Sequence, residues 1–222
     1  MKAQSAIDHL VVVASSIEQG VAWCEATLGV VPGPGGKHPL MGTHNRLMRI
    51  DTAAYPRAYL EIISIDPAAQ APTQPRWFDM DDALLQQAVQ REPRLVHFVA
   101  STTTATAMVK ALAHLGIDRG ALLHAERGHL RWQITIRPDG QRLFYGGLPT
   151  LIQWDSPHPA DTMPDSGLAL QSLTVHHPRA DDLRAAHGAI GLRGVTVDAG
   201  PPNLAATLQT PKGIVTIESA GA

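Results

Sequence analysis

The sequence predicts an α+β protein made of repeated βαβββ units, and three observations predict it. A strand followed by a helix that closes on an apolar-glycine-apolar triplet occurs three times. Residues 6–13 lead to Leu28-Gly29-Val30, residues 95–100 to Leu115-Gly116-Ile117, and residues 170–175 to Ile190-Gly191-Leu192. The spacing is the second observation: from His9, His97 and Ser172 to the closing glycine there are 20, 19 and 19 residues. Third, each copy offers one helix for three or four strands, a ratio that fits α+β units better than a doubly wound parallel sheet. A repeat of a whole supersecondary unit places functional positions between copies, where facing strands present equivalent residues. Two of those equivalents are histidines.

The first unit spans residues 1–66. Its opening strand is Ala6 to Val13. Ser15 and Glu18 fit a capping box for the helix that follows. Ile17, Val21, Cys24 and Leu28 fall on one helical stripe, and Gly29 suits a left-handed C-terminal cap. After the Pro/Gly segment 31–36, Asn45 to Asp51 and Ala58 to Ser64 read as strands. Residues 67–93 form a connector, with a short helix from Asp81 to Arg91. The second unit spans 94–160: a strand around His97, a helix with Thr104, Met108, Leu112 and Leu115 on its stripe, then strands at 130–136, 141–145 and 150–154. Ser156-Pro157-His158-Pro159 is too proline-rich for regular structure. Residues 161–222 make a third, partial βαβ-type unit, with a helix capped by Asp181 and a last strand from Gly213 to Ser219.

The bulk numbers exclude several functions. The chain has 222 residues and a formal net charge of −2, without the concentrated positive charge that nucleic acid or a membrane surface would require. No apolar run reaches the roughly 20 residues of a membrane span. Residues 1–5 lead straight into the first strand, so no signal peptide is expected and the expected location is cytoplasmic. The single cysteine, Cys24, excludes an internal disulfide and sits on a helix stripe, where a packed thiol behaves as a small hydrophobe.

Matching the units by their helices puts His9 and His97 in the middle of their first strands. Matching the closing strands puts Glu61 on Gln153. Strand side chains alternate faces, so one residue from each of four strands can point at a common centre. Two imidazoles and a carboxylate suit a divalent ion such as Zn, Fe, Ni or Mn, and His9, Glu61 and His97 are the candidate metal ligands. Each histidine taken alone reads better as a hydrogen-bonded core residue. Glu61 lies in an apolar strand, where an unpaired carboxylate is costly. It calls for a cation or several donors, and Arg49, Arg131 or a metal could serve. Gln153 is most simply a hydrogen-bonding amide.

Several stretches carry a family resemblance: Ile7-Asp8-His9-Leu10, Gly35-Gly36-Lys37-His38-Pro39, Gly42-Thr43-His44-Asn45, Tyr59-Leu60-Glu61-Ile62, Leu130-Arg131-Trp132 and Trp154-Asp155-Ser156-Pro157-His158-Pro159. With these, the chain resembles the vicinal oxygen chelate superfamily, and more narrowly its glyoxalase-like domain family of bacterial proteins. The resemblance implies paired βαβββ units around a cleft, with a third related unit at the C-terminus. It also implies, in many members, a metal at the places held here by His9, Glu61, His97 and Gln153. An acid is usual at the last place, so this chain departs from the pattern there. The resemblance further implies ligand contacts from His38 and Asn45, an anion clamp from Arg131 and an apolar wall from Trp132. His158 either folds back on the cleft or stays in the linker.

Two functions follow. The first is a glyoxalase-like enzyme, metal-dependent, acting on a small substrate with neighbouring oxygens by isomerase, lyase or dioxygenase chemistry, with Glu61 catalytic. The second is a metal-free module that binds or sequesters a small molecule, for which no cofactor is needed. The expected partner is a small-molecule ligand, and the third unit leaves room for a homodimer.

Overall fold

The structure, a computed structural model, describes residues 4–221. The first unit contains β1 (Ser5–Val13), α1 (Ile17–Leu28), β2 (Lys37–His38), β3 (Thr43–Arg49) and β4 (Tyr59–Ile65). A 3-10 turn (Trp77–Asp79) and α2 (Ala83–Arg91) make the connector. The second unit contains β5 (Arg94–Thr102), α3 (Ala105–Ala113), β6 (Ala121–Arg127), β7 (Leu130–Ile136) and β8 (Thr150–Trp154). The third contains β9 (Ala169–His176), α4 (Ala180–Ala189), β10 (Val195–Asp198), β11 (Asn203–Thr210) and β12 (Gly213–Glu218).

The first two units join through their opening strands into one eight-stranded, nearly closed sheet of order β2-β3-β4-β1-β5-β8-β7-β6. In each, the opening strand pairs in parallel with the last strand of the unit. The third unit forms a second sheet of order β10-β9-β11-β12, so its opening strand pairs in parallel with the strand directly after the helix instead. That sheet packs on the outer face of the large one. Leu170, Leu173, Val175, Leu204 and Leu208 share a core with Leu10, Leu60, Phe98, Leu151 and the buried sides of α1, α3 and α4.

Local sequence explains the elements, with some corrections. The cap of α1 is Ser16, whose hydroxyl accepts from the Gln19 N–H, while the Gln19 side chain accepts from the Ser15 N–H. The capping box is therefore one residue later than Ser15 and Glu18 suggest. Gly29 does take the left-handed cap, at φ 75°. The strand expected at 141–145 is absent: a 3-10 turn (Phe144–Gly146) lies there, and the missing strand is β6. Among the described residues no helix is long and apolar enough to cross a membrane.

The inner face of the large sheet is only partly open. Phe78, Met80, Leu85 and Val89 of the connector pack there against Val11, Val13, Val96 and Val99. Phe78 and Asp79 turn the chain inward with left-handed φ of 62° and 57°. The connector thereby fills the half of the sheet that carries His97.

Candidate active site

His9, on β1, stands opposite Tyr59 of β4 in the parallel ladder, and Glu61 is two residues further along β4. Period-2 alternation puts all three on the inner face. The His9 ring stacks on Tyr59 at a centroid distance of 4.5 Å, and its Nε2 lies 3.7 Å from Glu61 Oε2. Asn45 of β3 donates from Nδ2 to Glu61 Oε1 at 2.6 Å and accepts the Gly36 N–H on Oδ1 at 2.7 Å. Glu61 is 5 % exposed, so these donors are what make its burial tolerable.

Behind His9 lies Asp8, 1 % exposed. Between Ile7 and His9 the β1–β5 register slips by one residue, which makes Asp8 the extra residue of a β-bulge. A bulge re-aims side chains that strict alternation would send to opposite faces. Asp8 Oδ1 lies 2.7 Å from His9 Nδ1, and Oδ2 accepts from Trp154 Nε1 at 2.9 Å. His158 Nε2 lies 3.0 Å from the same oxygen, while its Nδ1 accepts the Ala160 N–H. Burial alone would raise the Asp8 carboxyl. The hydrogen bonds from His158 and His9, with their charges, hold it well below the ordinary carboxylate range instead. Asp8 therefore fixes the His9 ring with Nδ1 inward and Nε2 toward Glu61.

A cavity of about 40 Å3 opens in front of this pair, lined by His9, His38, Asn45, Tyr59, Glu61, Trp77, Arg127, Trp132 and Trp154, among others. Arg127 comes from β6, on the far edge of the sheet, and its Nη1 reaches His38 Nε2 on β2 at 3.3 Å. The two open edges thus meet side chain to side chain. Burial, against the pull of Glu61 and aided by Arg127, pushes the His38 imidazole down to about 4, so His38 is neutral at neutral pH. Burial, then Asp8 and Glu61, raise the Tyr59 phenol well above its usual range.

His9, His38, Asn45, Glu61 and Trp132 are thus brought together, with His158 one step behind through Asp8. Three other expected residues are placed elsewhere. Arg131 neighbours Trp132 on one strand, so it faces out, with Glu126 as a distant partner at 3.9 Å. Gln153 sits between the inward Ile152 and Trp154, so it faces the helices, where its Oε1 accepts the Ala105 N–H at the start of α3. His97 is on the inner face, opposite Val11 rather than His9. Its Nε2 accepts the Thr150 N–H at 3.1 Å and its Nδ1 lies 3.1 Å from the Gly146 carbonyl. Burial, helped by Arg119 and Arg142, pushes His97 well below the usual histidine range. Phe78 covers its ring at 5.0 Å, and only about 10 Å3 remains beside it.

An ion held by His9, Glu61 and His97 needs three donor atoms converging within roughly 2.0–2.2 Å of one point. Both nitrogens of His97 are engaged by the backbone, and among the described residues no group of three His, Cys, Asp or Glu is arranged to hold an ion. The residues present do not fit the metal centre that the superfamily resemblance implies. A wider groove of about 740 Å3 lies between the Phe144–Gly146 turn and the start of α4. Its ionisable groups include Arg142, paired with Asp79, and Arg179, paired with Asp182.

The glyoxalase-like domain model matches residues 7–191. The chain belongs to the glyoxalase-like domain family. No curated protein sequence matches the chain. A hypothetical protein from Staphylococcus aureus has a similar structure, with a TM-score of 0.56 at 12 % identity, covering 96 % of this chain and 85 % of that one. Methylmalonyl-CoA epimerase from Mycobacterium tuberculosis gives a TM-score of 0.41 at 12 % identity, covering 67 % and 85 %. A variant of the Streptomyces coelicolor epimerase in complex with 2-nitronate-propionyl-CoA gives 0.41 at 15 %, covering 68 % and 94 %. The match to the Staphylococcus protein bears on the fold, over nearly the whole chain.

Sequence reasoning missed Asp8, Arg127, Tyr59 and Trp154 as parts of this site. Asp8 had a visible signal, since it directly precedes His9, but strict alternation assigns it to the other face.

Proposed function

We propose that this glyoxalase-like chain is a proton-transfer enzyme of isomerase or lyase type, acting on a small carbonyl compound through its own side chains. The observation that carries this reading is the line Asp8–His9–Glu61 facing a cavity. A buried carboxylate orients an imidazole so that Nε2 is the atom presented to a ligand. That is the arrangement of a positioned general base. At 3.7 Å from Nε2, the Glu61 carboxylate leaves no room for a substrate atom between the two. Both groups therefore address the ligand from one side. His9 takes the proton from carbon, and Glu61 stabilises the imidazolium that results. The ring stack on Tyr59 and the wall of Trp132 and Trp154 keep bulk water from the transferred proton. No step is routed through a metal.

The alternative, a metal-free binding module, is favoured by one observation. Asn45 already hydrogen-bonds Glu61, so the carboxylate needs no catalytic partner to be buried. Deuterium exchange separates the two. In heavy water, the purified protein with a panel of small 2-oxo and 2-hydroxy acids is expected to speed loss of the acidic C–H signal in proton NMR spectra. His9→Gln and Glu61→Gln are each expected to slow that exchange by about 100-fold or more. Background-rate exchange with every panel member, or full exchange by His9→Gln, refutes the enzyme reading.

A further inference from the structure

Arg127 is a cation placed against this cavity, and among the described residues no carboxylate forms an ion pair with it. Its acidic neighbour Glu126 turns to Arg131, and the hydrogen bond Arg127 makes goes to His38, which is neutral. The remaining guanidinium N–H groups have a planar fork geometry that matches a carboxylate. The placement is built. A Cβ on Gly36 would lie 2.6 Å from Arg127 Cδ and 2.7 Å from Nη1, so the side chain crosses the chain where glycine leaves space for it. Trp77 lines the same cavity, and its indole N–H is buried without an acceptor among the described residues. An orphaned buried donor is costly, and an acceptor on a ligand would offset that cost.

The size of the space narrows the ligand. One water-sized centre takes roughly 10–15 Å3, and the cavity measures about 40 Å3. It admits a group of about three heavy atoms, the dimensions of a carboxylate. Successive side-chain contacts of 3.3, 3.4, 2.6 and 3.7 Å link Arg127 through His38, Asn45 and Glu61 to His9 along the cavity wall. A carboxylate on Arg127 would turn the rest of the molecule toward His9 and Glu61, with the exchangeable hydrogen on C2 in a 2-hydroxy acid and on C3, beyond the carbonyl, in a 2-oxo acid.

We propose that Arg127 is the anion receptor of this site and that the substrate class is a small 2-oxo or 2-hydroxy carboxylate. This rests on the proton-transfer reading only for which way the rest of the molecule faces.

Calorimetric titration of pyruvate into the full chain tests this. The unmodified protein is expected to bind it. Arg127→Gln should weaken binding at least tenfold, Arg127→Lys should restore part of it, and Arg131→Gln should leave it unchanged. Melting curves check that each variant folds. Pyruvate bound equally by the unmodified chain and folded Arg127→Gln overturns the proposal, as does no binding by the unmodified chain at millimolar pyruvate. Arg127-dependent binding without His9-dependent deuterium exchange sustains the receptor while refuting the enzyme. Exchange that depends on His9 but not on Arg127 does the reverse.

Discussion

Asp8 organises this site by satisfying three donors with two oxygens. His9, Trp154 and His158 all aim at it, and it is almost completely enclosed. Removing one member of a buried charged network leaves the others desolvated and unpaired, at a cost of roughly 3–5 kcal/mol. Asp8→Asn keeps the volume but turns an amide N–H on groups that already donate. It should lower the urea-unfolding free energy by about 3 kcal/mol. Trp154→Phe removes a single hydrogen bond and should cost about 1 kcal/mol. Equal, small losses in both variants would show that Asp8 is an ordinary polar residue. The residues flanking it behave as alternation demands. Trp132 faces in, so Arg131 faces out; Trp154 faces in, so Gln153 faces out.

Elements decide which of these residues could be read from sequence. The closing glycines, the strands β7 and β8, and most of the helix stripes were legible because each follows a plain periodicity; at α3 the stripe holds for Met108 and Leu112, while Thr104 is the cap and Leu115 lies beyond the helix, exposed. Also legible were His9 and Glu61, which sit mid-strand among apolar residues. Two features broke the pattern. A bulge at Asp8 in β1 sends consecutive side chains toward one another, and the matching bulge in β5 falls at Val96, just before His97. Equivalent histidines thus received a carboxylate in one unit and a valine in the other. The second feature is β6, an edge strand written Ala-Leu-Leu-His-Ala-Glu-Arg without clean alternation. Missing the strand meant missing Arg127 at its end. The glycine pair opposite that strand separates stability from binding. A Cβ at Gly35 would lie 1.9 Å from the Asn45 carbonyl oxygen, which is backbone and cannot swing aside. Gly35→Ala should destabilise the fold by roughly 1–3 kcal/mol. Gly36→Ala meets only the flexible Arg127, so the melting temperature should hold while carboxylate binding falls. The reverse order would contradict the contact geometry.

The whole molecule buries several neutral imidazoles, and this sets its response to acid. His38 is pushed down to about 4, His97 well below its usual range, and His187 is lowered, burial being the largest cause in each case. When a folded-state pKa lies below the unfolded one, the unfolded chain takes up the proton first. Their stability is intact above about 6.5 and is lost as pH falls below it, by up to about 1.4 kcal/mol per pH unit for each group. Asp8 adds a later loss, because its depressed value matters only once pH drops through the ordinary carboxylate range near 3.9. Urea midpoints should therefore be highest near neutral pH and decline from pH 6 to 4. His97→Gln should show a shallower decline, whatever its stability at pH 7. A flat profile in the unmodified chain would contradict the burial of neutral histidines.

Duplication gave the large sheet two matching recesses, and one of them is stoppered by Phe78 and Met80. Pulling that stopper by truncating both side chains would hollow a vacant berth beside an imidazole whose orientation the backbone already sets. The scaffold thus carries a spare position in which a designer could install a second receptor without disturbing the first.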